Sequence, residues 1–235
     1  MAGCVSRMRE IVLDTETTGL DPFAGDRIVE IGAVELFNHM PTGRSFHAYV
    51  NPQREMPAEV VAVHGLTAAF LADKPVFAAI AGEFAAFIGD ARLVIHNAAF
   101  DMKFLNAELG WAGQATLPWA RAVDTLELAK RRFPGAGNTL DALCRRFGVD
   151  NSGRDKHGAL LDSELLAEVY LELMGGRQPD LTLTVVTAGA GATTGGVWSP
   201  PPRPRPLAPR LGAAEAAAHA AFVATLGAEA LWLRP

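Results

Sequence analysis

The segment that most constrains this chain runs from Ile11 to Gly19 and reads IVLDTETTG. Its three leading apolar residues are typical of a buried strand, and the acids that follow, Asp14 and Glu16, occupy alternate positions. Because alternate side chains of a strand share a face, both carboxylates are predicted to point into one small volume. Crowded carboxylates repel each other and lose hydration, so a fold tolerates them when a divalent cation lies between them. The alternative is that Glu16 already lies in a turn and Asp14 only caps a loop.

The composition is that of a globular protein with a substantial core. Of the 235 residues, 49% are hydrophobic and 20% are charged, which suits one sizeable domain with an appendage. We expect no secretion signal and no membrane span, because the sequence shows neither pattern. The two cysteines, Cys4 and Cys144, lack metal-type spacing, so the expectation is a cytoplasmic protein with reduced thiols and no membrane partner.

The net charge of −5 is unevenly distributed along the chain. Before residue 176 there are 16 basic and 23 acidic side chains, whereas the remainder has five arginines and three acids. This acidic charge does not fit the class of proteins that coat nucleic acid by charge alone. It fits a metal-dependent enzyme whose ions supply positive charge locally, so any nucleic-acid contact should be small and centred on a site.

Periodicity predicts a mixed α/β protein whose globular part ends near Gly175. The opening strand, residues 27–37 and residues 45–50 have strand patterns with short links, which indicates an antiparallel meander. Residues 93–95 predict a fourth strand. Helices are predicted over residues 59–69 (ending at Gly65), 75–88, from 98 onward, 123–133, 139–147 and 158–174.

The composition changes at Gly176. Residues 188–196 and 199–209 are rich in Gly, Ala, Thr and Pro and cannot build a core, so a flexible linker is predicted over residues 176–211. Residues 212–226 favour a short helix, and the chain closes with the apolar ending ALWLRP, which is predicted to dock on a partner. The predicted organisation is a catalytic domain over residues 1–175, this linker, and a docking segment over residues 212–235.

Three more positions carry an acid or a histidine in a sequence setting that is unusual for these residue types. Asp101 ends the segment HNAAFD just after the fourth strand, His157 precedes the longest helix, and Asp162 lies among leucines five residues later. Each has an ordinary explanation by itself: Asp101 complements a helix dipole, His157 is a loop histidine, and Asp162 is a solvated helix acid.

Taken together, the four acids and the histidine suit two-metal hydrolysis of a phosphodiester. Two divalent cations held by carboxylates stabilise the attacking and leaving oxygens of an in-line displacement. A histidine can deprotonate the attacking water because imidazole titrates near neutral pH. Carboxylate oxygens favour Mg²⁺ or Mn²⁺ as the two ions.

The order of these residues resembles the DEDDh family of 3′–5′ exonucleases and, within it, the proofreading (epsilon) subunits of bacterial DNA polymerase III. The resemblance implies a ribonuclease-H-like fold, an α/β mixed sheet flanked by helices, followed by a flexible tail that ends in a short helix. The matching segments cover almost all of residues 10–174: IVLDTETTGL, RIVEIGAVEL, VHGL, LVIHNAAFD, NTLDALC and HGALLDSELLAEVYL.

The resemblance also assigns roles to individual side chains. It implies His157 as the general base and four metal ligands: Asp14, Glu16, Asp101 and Asp162. It implies that Glu59 and His64 contact the terminal nucleotide, together with Asp14, Glu16 and Asp162. The local alternative for His64 is capping of its helix before Gly65.

The tail extends the resemblance to partners. Gln178 to Leu183 (QPDLTL) is similar to the short motif by which polymerase partners bind the sliding clamp, but it lacks the aromatic residue often found at the end of that motif. The last helix and the LW ending resemble the segment by which proofreading subunits bind the polymerase (alpha) subunit.

The implied function is excision of mispaired 3′-terminal nucleotides from the single-stranded 3′ end of DNA. Mispaired ends melt at lower cost than paired ends, which supplies selectivity without reading sequence. Tethering raises the local concentration of the exonuclease near the primer end. Two alternatives are a free-standing DEDDh nuclease that trims RNA or oligonucleotides, and a non-catalytic module that stabilises the polymerase.

Overall fold

The computed structural model describes residues 8–153, 156–176 and 212–227. The chain divides into two units, Met1–Leu183 and Thr184–Pro235. Most of the predicted linker, the 178–183 motif and the ALWLRP ending lie outside the described residues. The predicted domain boundaries and tail contacts therefore stay predictions.

The first unit is built on a five-stranded sheet in the order β3-β2-β1-β4-β5. Strands β1, β2 and β3 form the predicted antiparallel meander, and β4 and β5 continue the sheet in parallel with β1. The strands are β1 (Arg9–Thr17), β2 (Ile28–Phe37), β3 (Met40–Tyr49), β4 (Arg92–Ile95) and β5 (Ala122–Asp124).

Seven helices of the described residues belong to the first unit. They are α1 (Ala58–His64), α2 (Ala68–Leu71), α3 (Phe77–Ile88), α4 (Ala98–Trp111), α5 (Thr125–Arg132), α6 (Leu140–Phe147) and α7 (Ala159–Leu173). Two short 3₁₀ turns, Pro22–Ala24 and Trp119–Arg121, lie in the connections. Within the described ranges, no helix has the length and apolar character needed to cross a bilayer.

Two sequence predictions about the elements need correction. The helix predicted over residues 123–133 is wrong at its start, because Val123 and Asp124 belong to strand β5. A strand of three residues is too short to show an alternating pattern. The third strand begins at Met40 rather than at residue 45. The polar residues between them belong to the strand because this part of the hairpin also pairs with β2.

The core lies on both faces of the central strand β1, which explains its continuous apolar run. Ile11 and Leu13 pack on the face that α3 and α4 cover, with Phe104 of α4 in the same cluster. Val12 packs on the opposite face, with Leu166 of α7. Because side chains alternate along a strand, odd positions of β1 face α4 and even positions face α7.

The second unit contains helix α8 (Ala213–Thr225), as predicted for residues 212–226. Its first turn is closed by a 2.8 Å hydrogen bond that the Gly212 amide donates to Oε2 of Glu215. Phe222 in this helix and Leu226 directly after it are exposed, so apolar surface lies in the segment predicted to dock on a partner.

Candidate active site

A cavity of about 550 Å³ lies at the carboxyl ends of β1, β4 and β5. This edge is where open α/β sheets bind ligands, because the loops that follow the strands meet there. The structure brings the five predicted catalytic and metal-binding residues to it. The lining residues are Asp14, Thr15, Glu16, His96, Asn97, Phe100, Asp101, Leu126, Thr139, Leu140, Asp141, His157 and Asp162.

Strand β1 supplies the first two acids. It continues to Thr17, with a register shift only after Glu16, so the alternative that Glu16 lies in a turn is wrong. Asp14 and Glu16 have the same parity as Val12 and therefore face α7. Glu16 is 9% exposed and Asp14 is partly buried.

Asp101 comes from the first turn of α4 and is almost completely buried. Thr15, the odd residue between the two strand acids, donates a 2.7 Å hydrogen bond from Oγ1 to Oδ1 of Asp101. Burial raises the pKa of Asp101 to about 7, against the opposing effect of that hydrogen bond. A surface acid that only complements a helix dipole would not be buried in this way.

Asp162 and His157 come from the amino end of α7. Asp162 is 3% exposed, so the alternative explanation, a solvated helix acid, is wrong. Oδ2 of Asp162 lies 3.3 Å from Nδ1 of His157, whose side chain is 49% exposed. The backbone amide of His157 donates a 3.3 Å hydrogen bond to the carbonyl oxygen of Val63 at the end of α1.

These residues fit a divalent metal centre. Glu16, His157 and Asp162 each offer one ligand atom, and these atoms all lie within 4.8 Å of one another. Asp14 and Asp101 line the same cavity. Carboxylate oxygens are the donors that Mg²⁺ and Mn²⁺ prefer, so the acids suit these ions. The cluster also includes His157, which the resemblance assigned as the base, and the ligand set stays a prediction.

Glu59 and His64 are not among the residues that line this cavity. Glu59 is exposed in the first turn of α1. His64 is buried at the end of that helix, and its Nδ1 accepts a 3.0 Å hydrogen bond from the Leu66 amide. Burial lowers the pKa of His64, and Gly65 ends α1 in the left-handed conformation. His64 thus has a local structural role, and the nucleotide contact stays a prediction for both residues.

Sequence reasoning missed several other residues that line the cavity. His96 and Asn97 follow β4, and Thr139, Leu140 and Asp141 begin α6. Asp124, at the end of the missed strand β5, accepts hydrogen bonds from the amides of Ala98 and Leu126 and so caps both α4 and α5. The strand β4 and the helices that carry these residues were predicted, but their local patterns do not show that they meet at the cavity.

Comparison with known proteins agrees with this geometry. The sequence pattern of the exonuclease family matches residues 11–170. This chain belongs to the exonuclease family. It is a metal-dependent 3′–5′ exonuclease, and the predicted ribonuclease-H-like fold, a mixed sheet flanked by helices, is confirmed.

Curated relatives are similar over most of both chains. DNA polymerase III subunit epsilon of Rickettsia conorii is 58% identical over 177 residues, which are 74% of this chain and 77% of the relative. The subunit of the same name from Escherichia coli K12 is 48% identical over 176 residues, 72% of each chain. The predicted resemblance to these subunits is therefore confirmed.

Solved structures give the same fold. Exonuclease X in complex with 5′ overhanging duplex DNA is 25% identical, with a TM-score of 0.55, over 70% of this chain and 90% of that one. The nuclease domain of 3′hExo, a DEDDh family member bound to rAMP, has a TM-score of 0.63 over 72% of this chain and 93% of that one. At 19% identity, the second comparison supports the fold alone.

Proposed function

We propose that this exonuclease is the proofreading subunit of a bacterial DNA polymerase III and removes mispaired nucleotides from the 3′ end of DNA in the cytoplasm. The observation that carries the proposal is the cluster of Glu16, His157 and Asp162 within 4.8 Å, in one cavity with Asp14 and Asp101. The names of relatives that are 48% to 58% identical support the polymerase assignment.

In this proposal the four acids of the site hold two divalent cations, Mg²⁺ or Mn²⁺. When bound, such ions stabilise the attacking and leaving oxygens of an in-line displacement at phosphorus. His157 accepts the proton of the attacking water, which its half-exposed position at the cavity allows. Asp162, 3.3 Å from Nδ1 of His157, stabilises the imidazolium that results.

The substrate in the proposal is a frayed, single-stranded 3′ end. The cavity accepts a terminal nucleotide that has left its stack, and a mispaired end leaves the stack at lower cost. Glu59 and His64 of α1 contact that nucleotide in this proposal. Asp14, Glu16 and Asp162 contact it as well, because they belong to the catalytic site. Helix α1 carries His64, and the carbonyl oxygen of its Val63 accepts a hydrogen bond from the His157 amide. The end of α1 therefore lies close to His157.

The decisive experiment uses a primer with a mispaired 3′ deoxynucleotide and purified protein with Mg²⁺. The protein should remove that nucleotide, and Asp14→Ala should abolish removal while circular dichroism shows an intact fold. Glu83→Ala is the matched control, since it changes an exposed acid of α3 that does not line the cavity. Undiminished activity in Asp14→Ala would refute the site assignment.

The same assay separates the alternatives. A free-standing trimming nuclease would degrade RNA or short oligonucleotides much faster than the mispaired DNA primer. A non-catalytic, polymerase-stabilising module would leave every substrate intact. A clear preference for the mispaired DNA end supports the proofreading role.

The proposal assigns the partners to the tail. Residues 212–235 bind the polymerase (alpha) subunit, and Gln178 to Leu183 bind the sliding clamp. Deletion of residues 212–235 should abolish co-purification with the polymerase subunit and leave nuclease activity unchanged. Gln178→Ala should weaken clamp binding alone. Unchanged co-purification of the truncated protein would refute the role of the tail.

A further inference from the structure

Helix α7 approaches the sheet very closely at Gly32. Gly32 lies on β2 directly opposite Asp14 in the antiparallel register. A Cβ atom added at Gly32 would overlap the carbonyl carbon of Ala159 and the nitrogen of Leu160. Both are backbone atoms of the first turn of α7, so no side-chain rotation could relieve the overlap. Only glycine permits this separation between helix and sheet.

A second, independent contact joins the same two elements. Oγ of Ser163 lies 2.8 Å from the carbonyl oxygen of Gly32 and 2.8 Å from that of Ala159. Ser163 has no exposed surface, so its hydroxyl is a buried link between strand β2 and the first turn of α7. The hydroxyl has one proton to share between these two carbonyl oxygens, so sliding of the helix would take a buried donor away from the Gly32 carbonyl, which costs free energy.

This junction lies next to the proposed metal site on both elements. Asp162 directly precedes Ser163, and Asp14 is the cross-strand neighbour of Gly32. The height and register of α7 on the sheet therefore set the distance from the Asp162 carboxylate to the acids of β1. Sites of this type tolerate displacements of only about 0.5 Å.

We propose that Gly32 and Ser163 are positioning residues that set the separation between the acid of α7 and the two acids of β1, and thereby the affinity for divalent metal. The inference rests on the proposed assignment of Asp14, Glu16 and Asp162 as metal ligands. Neither Gly32 nor Ser163 lines the cavity. They act through the placement of the helix.

The test measures direct Mn²⁺ binding by isothermal titration calorimetry on the full chain, with the exonuclease rate as a second readout. Ser163→Ala removes one oxygen atom, and Gly32→Ala adds one methyl group that displaces α7. We expect Mn²⁺ affinity to fall about 10-fold or more in both, as for other residues that orient metal ligands. Gly82→Ala is the matched control, because a Cβ at that position of α3 meets no atom within 4 Å; its affinity should be unchanged.

The outcomes are distinguishable. Unchanged Mn²⁺ affinity in folded Ser163→Ala, with only a lower melting temperature, would overturn the inference. If Gly32→Ala does not fold, Ser163→Ala alone decides. Asp162→Asn tests the underlying assignment: if it leaves Mn²⁺ affinity intact, the proposed metal site is refuted. If Asp162→Asn weakens binding while both positioning variants bind normally, the metal site stands and the positioning role is refuted.

Discussion

Thr15 and Asp101 are joined by a buried hydrogen bond of 2.7 Å across 86 positions of sequence. Thr15 lies on the α4 face of β1, whereas Asp14 and Glu16 lie on the α7 face. One strand segment thus supplies two acids from one face and a hydroxyl donor from the other. The hydroxyl binds Oδ1 of Asp101 and so helps to orient that carboxylate at the cavity.

Replacing Thr15 by valine should weaken metal binding. Valine has nearly the same shape but donates no hydrogen bond, so the Asp101 carboxylate loses one of the contacts that orient it. We expect Mn²⁺ affinity, measured by calorimetry, to fall about 10-fold. Thr15→Ser keeps the hydroxyl and should bind Mn²⁺ nearly as well as the original protein. Equal affinities in Thr15→Val and Thr15→Ser would contradict the orienting role.

Removing the imidazole of His157 should separate its two candidate roles. If His157 is the general base, His157→Ala should lower the rate of nucleotide removal about 10²- to 10⁴-fold and leave Mn²⁺ affinity unchanged. The contact of 3.3 Å to Asp162 and the 4.8 Å cluster also suit a metal ligand. A large loss of Mn²⁺ affinity in His157→Ala would identify it as a ligand instead.

His96 should make the fold less stable in acid. Its Nδ1 lies 2.9 Å from Oγ1 of Thr125, and burial lowers its pKa below the ordinary 6.5, with partial opposition from Asp124. The unfolded chain therefore takes up this proton at a higher pH than the folded chain does. Stability from neutral His96 is complete above about pH 6.5 and is lost as the pH falls through that value toward the lowered pKa.

The variant His96→Asn tests this linkage by urea unfolding at pH 8 and pH 5.5. The free energy of unfolding should fall less between the two pH values in His96→Asn than in the original protein. His64, whose pKa burial also lowers, contributes a loss in both proteins, and Asp101, whose pKa burial raises to about 7, contributes a gain in both, so the difference between the two proteins isolates His96. An equal fall in both proteins would show that His96 does not contribute.

Glu108 should be important for stability but not for chemistry. It is buried and accepts two hydrogen bonds of 2.7 Å from the Arg27 guanidinium, and it also accepts the Ile28 amide at 3.3 Å. Glu108→Ala leaves the arginine and the amide without this partner, which should cost about 3 kcal/mol in urea unfolding. The rate of nucleotide removal per folded molecule should be unchanged.

An exposed ion pair provides the control for that experiment. Glu127 and Lys130 are one turn apart on α5, and both side chains are about half exposed. Solvent screens such a pair, so Glu127→Ala should change the free energy of unfolding by about 0.5 kcal/mol or less. Similar losses in Glu108→Ala and Glu127→Ala would contradict the structural role of the buried pair.

Much of the fold followed from local pattern. The continuous apolar run before Asp14 predicted a buried strand, and the periodic stripe over residues 75–88 predicted α3 to within two residues. Gly65 was predicted as a helix end and is in the left-handed conformation that ends α1. The prediction failed at Val123, where a strand of three residues has no periodicity of its own and exists because it pairs with β4.

The sequence by itself determined the chemical types at the site, because alternation on a strand and position in a first helical turn are local properties. It therefore indicated Asp14, Glu16, Asp101, His157 and Asp162. Only the tertiary structure decided the contacts made across long sequence separations: Thr15 with Asp101, and Ser163 with Gly32. These contacts leave no periodic signal, since each depends on how closely a helix packs on a sheet. That packing sets the distances between the acids, and thus what the site can bind.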